Sequence, residues 1–222
     1  MKVVEQFKRR ILDLAIRGKL VPQDPNDEPA SVLLERIKAE KAKLVKAGKI
    51  KKEKNPSEIV IGSDGAAYEK FGSGGVFNAE TQRRGEGWCT SSRAVTGGPT
   101  SVSAVNVPFE IPASWRWVRV GDVFSMQAGK YISAAKLRPQ SKNFEYPCYG
   151  GNGVRGFLQH FSHEGEHAIV GRQGALCGNL NLASGKFYAT EHAVVVDTYC
   201  GINAHFAYWF LMAMNLKQYA TA

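Results

Sequence analysis

Apolar residues recur at helical spacing at the start of the sequence: Val4, Phe7, Ile11 and Leu14 form one stripe, leaving Lys8, Arg9, Asp13 and Arg17 on other faces. Gly18 stands where a helix C-terminus favours a residue free to take positive φ. Pro22, Pro25 and Pro29 cannot sit inside a regular helix, so residues 21–28 read as an extended, turning connector. Asp27 is the expected N-cap of a second helix, with Pro29 in its first turn. Leu33, Ile37 and Leu44 line the apolar side of that helix, and Gly48 closes it before a basic run over 49–54. On pattern alone, the pair is a helical hairpin packed on its own domain.

After residue 57 the period changes. Residues 59–71 look like a short strand and turn, and 72–106, rich in Gly, Ser, Thr and Ala without a sustained period, read as a linker or mobile loop. From Val107 onward, Trp115, Trp117 and Arg119 alternate with other side chains, and β-branched and aromatic runs follow between glycine turns. The pattern predicts strands at 116–120, 122–127, 145–149, 167–171, 178–182 and 192–197, then a helix over 204–216. The fold class is therefore α+β: an N-terminal helical hairpin, then a mixed, mainly antiparallel β-rich region with a C-terminal helix. The boundaries fall at 1–56, 57–106 and 107–222.

Composition narrows the class without naming a function. The 222 residues are 44% hydrophobic and 22% charged, ordinary for a soluble globular protein. No apolar segment follows the charged N-terminus, and the longest apolar run, 202–216, carries Asn203, His205 and Asn215 and is too short to span a bilayer. A cytoplasmic protein without a membrane partner is expected. Cys89, Cys148, Cys177 and Cys200 are widely spaced with no C-x-x-C pair, which suggests free thiols rather than a disulfide framework or a cysteine zinc site.

The net charge of +9 is uneven: residues 1–56 carry 15 Lys/Arg against 8 Asp/Glu, and residues 57–222 carry 14 against 12. Within 116–186 the balance is 9 basic to 4 acidic, and these cations fall in polar, glycine-rich turns from which they can reach a phosphate backbone. A merely soluble basic surface would have the same sum.

Three turns offer groups that can contact phosphate or base edges: Lys130, Tyr131, Lys136 and Arg138 in one polar loop, Asn152 and Arg155 in a glycine turn, and Arg172 and Gln173 between Gly171 and Gly174. Arg172 and Gln173 are the strongest candidates, because Arg pairs bidentately with guanine and Gln with adenine. The structural alternative is an Arg172 held in an internal ion pair that fixes its loop.

Two motifs point elsewhere. His163, Glu164 and His167 fit H-E-x-x-H, whose zinc chemistry needs a helix to bring both imidazoles to one face. Gly165 interrupts the run and 168–170 reads as strand, so the rings are expected to diverge, although Glu191 and His192 lie downstream as possible third ligands. Gly151–Gly156 fits G-x-G-x-x-G, but 157–161 makes a poor helix start and no acid follows near Leu176, as a dinucleotide site requires. No Ser-His-Asp spacing, P-loop or methyltransferase signature appears, and the protein is expected to be non-catalytic.

The run from Glu5 to Ile37 resembles the conserved helical region of type I restriction-modification specificity subunits. Residues 111–122 (Ile-Pro-Ala-Ser-Trp-Arg-Trp-Val-Arg-Val-Gly-Asp), 146–156, 169–174 and 188–193 resemble the target recognition domain of the same family. The resemblance implies a DNA-recognition subunit for double-stranded DNA. Methyltransferase and restriction subunits would be its partners and would hold S-adenosylmethionine, ATP and Mg. It also implies that Phe7, Ile11, Leu14, Leu33, Ile37 and Leu44 dock the methyltransferase. Two departures stand out: 73–106 reads as an insertion, and family members continue beyond the equivalent of Ala222, so the recognition domain is expected to be incomplete, truncated at its C-terminus. A zinc hydrolase through His163, Glu164 and His167, or an inactive remnant serving only as a helical scaffold, are the alternatives.

Overall fold

A computed structural model describes residues 2–53, 56–62, 66–71 and 102–219. Its elements divide into two compact units, Met1–Ile16 with Phe124–Ala222, and Arg17–Val123.

The first element is a helix, Lys2–Ile16 (α1). The Arg17–Val123 unit then holds a second helix, Ala30–Lys46 (α2), and three strands, Ser57–Ile61 (β1), Ala67–Phe71 (β2) and Val102–Val105 (β3). A single helical turn, Val120–Val123 (α3), follows. β2 pairs antiparallel with both β1 and β3. The region expected to be strand, turn and linker is thus a sheet in its described parts, because Ala67 and Glu69 alternate inward along β2. Of the stretch 73–106 that reads as an insertion, the described residues begin at 102.

Gly18 takes φ +65 after α1, as its position requires, and a Cβ there would also stand 2.8 Å from Pro112 Cδ. The residue before α2 is Pro29, and no side chain hydrogen-bonds to that helix end, so the expected capping role of Asp27 is corrected. The N–H of Ala30 instead reaches the carbonyl of Ser114 at 3.0 Å. This cross-connection also explains why 116–120 is not a strand. Its flanks are tied to the connector through Trp115 Nε1, which donates to Gln23 Oε1 at 2.9 Å, and the Arg119 N–H is taken by Asp122 Oδ2 at 3.0 Å. Glu69 is 4% exposed. Burial alone would raise its pKa, but hydrogen bonds from Arg119 and Ser57 outweigh it and hold the carboxyl below its usual value. Ile37 is 1% exposed and is a core residue of this unit.

In the other unit, the strands Phe124–Ala128 (β4), Tyr146–Gly150 (β5), Gly153–Leu158 (β6), His163–Glu164 (β7), His167–Gly171 (β8), Leu180–Ala183 (β9), Lys186–Ala189 (β10) and Ala193–Thr198 (β11) precede the helix Ala204–Ala213 (α4). They form two four-stranded sheets, in the orders β6-β5-β10-β7 and β4-β11-β8-β9. Only the β5–β10 pairing is parallel among the described ladders, so the sheets are mixed and mainly antiparallel. The α+β class expected from the pattern is the observed one. Strands β6, β7 and β10 were not predicted: the start of β6 read as a glycine turn, β7 is the start of the H-E-x-x-H run, and no element was expected over Lys186–Ala189. The first predicted strand of this region begins late, at Phe124, because 120–123 close a helical turn.

Ile169, Ala183, Phe187, Ala189, Ala193 and Val195 make one buried cluster, with Tyr149 packed against it. Fully burying a side chain the size of Phe187 stabilises by roughly 1.5–3 kcal/mol. Val196, next to Val195, points to the opposite face of β11 and is also buried, on a sheet that α4 covers. Asn203 caps α4, its Oδ1 accepting from the His205 N–H at 2.7 Å. α1 packs on α4 and leaves Val3, Val4, Phe7 and Ile11 exposed. No helix among the described residues is long and apolar enough to cross a membrane.

Candidate nucleic-acid interface

Three connections of the β-rich unit meet: the β5–β6 turn, the loop between β8 and β9, and the β10–β11 turn. Backbone hydrogen bonds lock them. The Arg172 N–H reaches the His192 carbonyl at 2.9 Å, and the Thr190 N–H reaches that of Tyr149 at 2.9 Å. Within the β8–β9 loop, Gly171 N–H donates to Asn179 O and Gly178 N–H to Gly171 O, each at 2.8 Å, and Cys177 Sγ reaches Arg172 O at 3.3 Å. Gly171 is needed for close approach: a Cβ there would run into the carbonyl oxygen of Gly151 and stand 2.7 Å from that of Leu176.

The meeting point is a cavity of about 510 Å³ lined by Gly151, Asn152, Arg155, Gln173, Leu176 and His192, among others. The glycine turn and the Gly171–Gly174 loop, separate in sequence, therefore place Asn152, Arg155 and Gln173 around one opening. The side chains of Lys130, Tyr131, Lys136, Arg138, Asn152, Arg155, Arg172 and Gln173 are all exposed. Arg172 stands next to Gln173, and no hydrogen bond or ion pair engages its guanidinium among the described residues. An internal ion pair for Arg172, the structural alternative, is absent there. Asn152 is partly committed, its Oδ1 accepting from Asn179 Nδ2 at 3.0 Å.

The polar loop after β4 is a separate group. Gly129 and Lys130 hydrogen-bond through their N–H groups to the carbonyls of Ala193 and Ala189, at 3.0 and 3.1 Å. Tyr131 is 75% exposed. Lys136 ends the 3-10 turn Ala134–Lys136. Arg138 exchanges two backbone hydrogen bonds with Phe157, and its guanidinium folds back onto the carbonyls of Ala135 and Leu137, at 2.6 and 2.9 Å. The structure does not bring these four into the cavity lining.

His192 lines the cavity and was absent from the predicted set, although the Tyr188–Ala193 motif contains it together with its neighbour Glu191. His192 Nε2 lies 3.1 Å from Glu191 Oε1. Beneath the turns, burial pushes the Cys148 thiol up to about 11, with Arg155 opposing and Glu191 reinforcing the shift. Cys148 is therefore a protonated packing residue and not a nucleophile.

The H-E-x-x-H residues lie on β7 and β8 rather than on a helix. Their rings do not diverge: the centroids are 6.1 Å apart, which corrects the expectation. Phe187 draws them together, stacking with His163 at 5.3 Å and meeting His167 edge-on at 5.6 Å. Both nitrogens of His167 have partners, Asp197 Oδ1 at 3.1 Å and the Glu164 carbonyl at 3.2 Å, while His163 Nδ1 lies 2.7 Å from Ser162 Oγ. No group of three His, Cys, Asp or Glu side chains that could hold a metal occurs among the described residues. The G-x-G-x-x-G run is the turn of a hairpin that continues into β6, with Gly153 at φ +95, and lacks the helix a dinucleotide phosphate needs.

No protein-family model matches the sequence. It is 52% identical to the type I restriction enzyme EcoprrI specificity subunit of Escherichia coli over 103 residues, 46% of this chain and 26% of that one. It is 68% identical to the EcoAI specificity subunit of the same species over 56 residues, 25% of this chain and 10% of that one. Among solved structures, the HsdS subunit from Thermoanaerobacter tengcongensis matches 53% of this chain and 32% of its own, at 12% identity and a TM-score of 0.43. The protein thus spans about a quarter or less of the length of these two curated relatives. The resemblance to type I specificity subunits carried by the sequence motifs is present in these relatives.

Proposed function

We propose that this protein is the non-catalytic DNA-recognition part of a type I restriction-modification enzyme, acting in the cytoplasm on double-stranded DNA. The observation that carries this reading is the cavity in which Asn152, Arg155 and Gln173 converge from two glycine-bracketed loops, in a sequence half-identical to a specificity subunit over 103 residues. Glycine lets the backbone turn tightly and approach a groove, and side chains without internal partners are free to meet base edges. Lys130, Tyr131, Lys136 and Arg138 would set register on the phosphates, while Asn152, Arg155, Arg172 and Gln173 would read bases.

Chemistry would then reside in methyltransferase and restriction subunits, which would hold S-adenosylmethionine, ATP and Mg. The apolar residues left exposed on α1, with Phe7 at 66% and Ile11 at 37%, are the proposed docking surface for the methyltransferase. Titrating labelled duplex DNA with the full-length protein plus that subunit, across a series of salt concentrations, tests the reading. Affinity falling linearly on logarithmic axes with added salt is expected. A complex that forms without binding duplex DNA at any salt would leave the helical-scaffold alternative.

A further inference from the structure

Arg155 reaches the cavity through an irregularity in its own strand. The register of β5 against β6 shifts between Cys148 and Tyr149: Cys148 stands opposite Gly156, and Tyr149 opposite Val154. Arg155 is left without an opposite residue and is the extra residue of a β-bulge. Successive side chains of a regular strand point to opposite faces, yet Val154 and Arg155 both line the cavity. The bulge is the local departure that lets two neighbours serve one opening.

The Arg155 side chain then lies over Gly150, the last residue of β5. A Cβ on Gly150 would run into Arg155 Cδ and stand 3.1 Å from its Cγ and 3.7 Å from its Nε, and outside the chain neighbours these are the three atoms nearest to that position. Gly150 has no positive φ, so its backbone conformation does not call for glycine, and glycine inside a strand weakens it. What calls for it is room for the Arg155 stem. Gly150 is buried while Arg155 is exposed, as expected of a side chain that lays its apolar stem on the protein and leaves its charged head in water. Among the described residues no hydrogen bond or ion pair engages that guanidinium. The stem has a seat and the fork is free. A phosphate can be met by charge on a mobile stem, whereas bidentate pairing with guanine O6 and N7 needs the fork held in place.

We propose that Arg155 reads a guanine and that Gly150 is its positioning residue, the missing side chain giving the Arg155 stem the seat from which the fork is presented. This rests on the DNA-recognition reading of the protein. Gly150 is not among the residues lining the cavity, so readout of one base position depends on a strand residue that itself touches no base.

The test is selection from a randomised duplex pool by the full-length protein, comparing wild type, Arg155→Ala, Arg155→Lys, Gly150→Ala and the double variant Gly150→Ala with Arg155→Ala. Circular dichroism and thermal unfolding follow the fold of each. Wild type is expected to enrich a motif with guanine at one position. Arg155→Ala should lower that preference by about 5- to 150-fold and leave other positions unchanged. Arg155→Lys keeps the charge without the fork, so it should lose the preference and keep general binding. The methyl of Gly150→Ala meets the end of a flexible side chain and not the backbone, so this variant should stay folded and lose preference at the same position. In the Arg155→Ala background the atoms it would meet are gone, and it should add no further loss. A single Gly150→Ala variant that unfolds while the double variant folds also ties Gly150 to Arg155, and the Arg155 variants then decide the reading. Full guanine preference in Arg155→Ala, in Arg155→Lys or in folded Gly150→Ala overturns the inference and leaves the DNA-recognition reading standing. So does a double variant that fails to fold, because the glycine would then answer to packing other than Arg155. A pool that the wild type does not enrich overturns that reading, and this inference with it.

Discussion

Arg172 has a fixed backbone and an unengaged side chain: its N–H and carbonyl are bonded to His192 and Cys177, while its guanidinium has no partner among the described residues. Such a residue loses little fold stability when truncated. Arg172→Ala should therefore unfold like wild type yet lose roughly 1–3 kcal/mol of discrimination at one base position. Lys136→Ala should instead weaken all sequences alike and reduce the salt slope by about one. Competition binding with matched and singly substituted duplexes separates the two, and equal effects on every sequence from Arg172→Ala would remove it from the readers. Arg138 is different in kind, because its guanidinium closes its own loop on two carbonyls. The glycine bracket around Arg172 and Gln173 was legible because Gly marks close approach. The place of His192 in the cavity lining was not, because it depends on the β10–β11 turn meeting loops twenty and forty residues away in sequence, which no local pattern encodes.

At the scale of elements, periodicity found α1, α2 and α4 but could not say which stripes stay exposed. Leu33, Ile37 and Leu44 lie on one stripe, yet Ile37 is 1% exposed while Phe7 on α1 is 66% exposed. Ile37→Asp buries an unpaired carboxylate and should destabilise its unit by more than about 3 kcal/mol, read by denaturant unfolding. Phe7→Asp should leave unfolding within about 0.5 kcal/mol and abolish co-purification with the methyltransferase subunit. Full recovery of the subunit by folded Phe7→Asp would contradict the docking role. The strand predicted at 116–120 failed because alternation of Trp115, Trp117 and Arg119 looks the same whether the backbone pairs in a sheet or is tied to a connector. The β7–β8–β11 contact carries a pH dependence. Asp197 raises the pKa of His167 by its hydrogen bond, against the opposing effect of burial. A raised folded value means the contribution is fully present below the ordinary value of 6.5 and is lost as pH rises through the folded value. Burial lowers His163, despite Asp197 and with His167 reinforcing, so its contribution has the opposite sense. Asp197→Asn should therefore cost about 1 kcal/mol at pH 5.5, discounted because Asp197 is 43% exposed, and much less at pH 9. A cost that grows with pH in chemical unfolding would reverse the assignment.

Over the whole molecule, the α+β class followed from a change of period after the helices, from 3.6 to 2. The sheet order did not follow, since the parallel β5–β10 pair joins residues about forty apart. The excess positive charge would account for attraction to nucleic acid in general but not for choice among sequences, which under the proposed function would come from the loops that the two sheets hold together. The decisive measurement is the ratio of affinities for a selected duplex and its scrambled counterpart at one fixed salt concentration, for wild type and for the combined Asn152→Ala, Arg155→Ala, Gln173→Ala variant. Wild type should prefer the selected duplex by about 10³-fold or more, and the folded variant should retain general binding with a ratio near one. A wild-type ratio near one, or a variant ratio equal to that of wild type, would contradict recognition through this cavity.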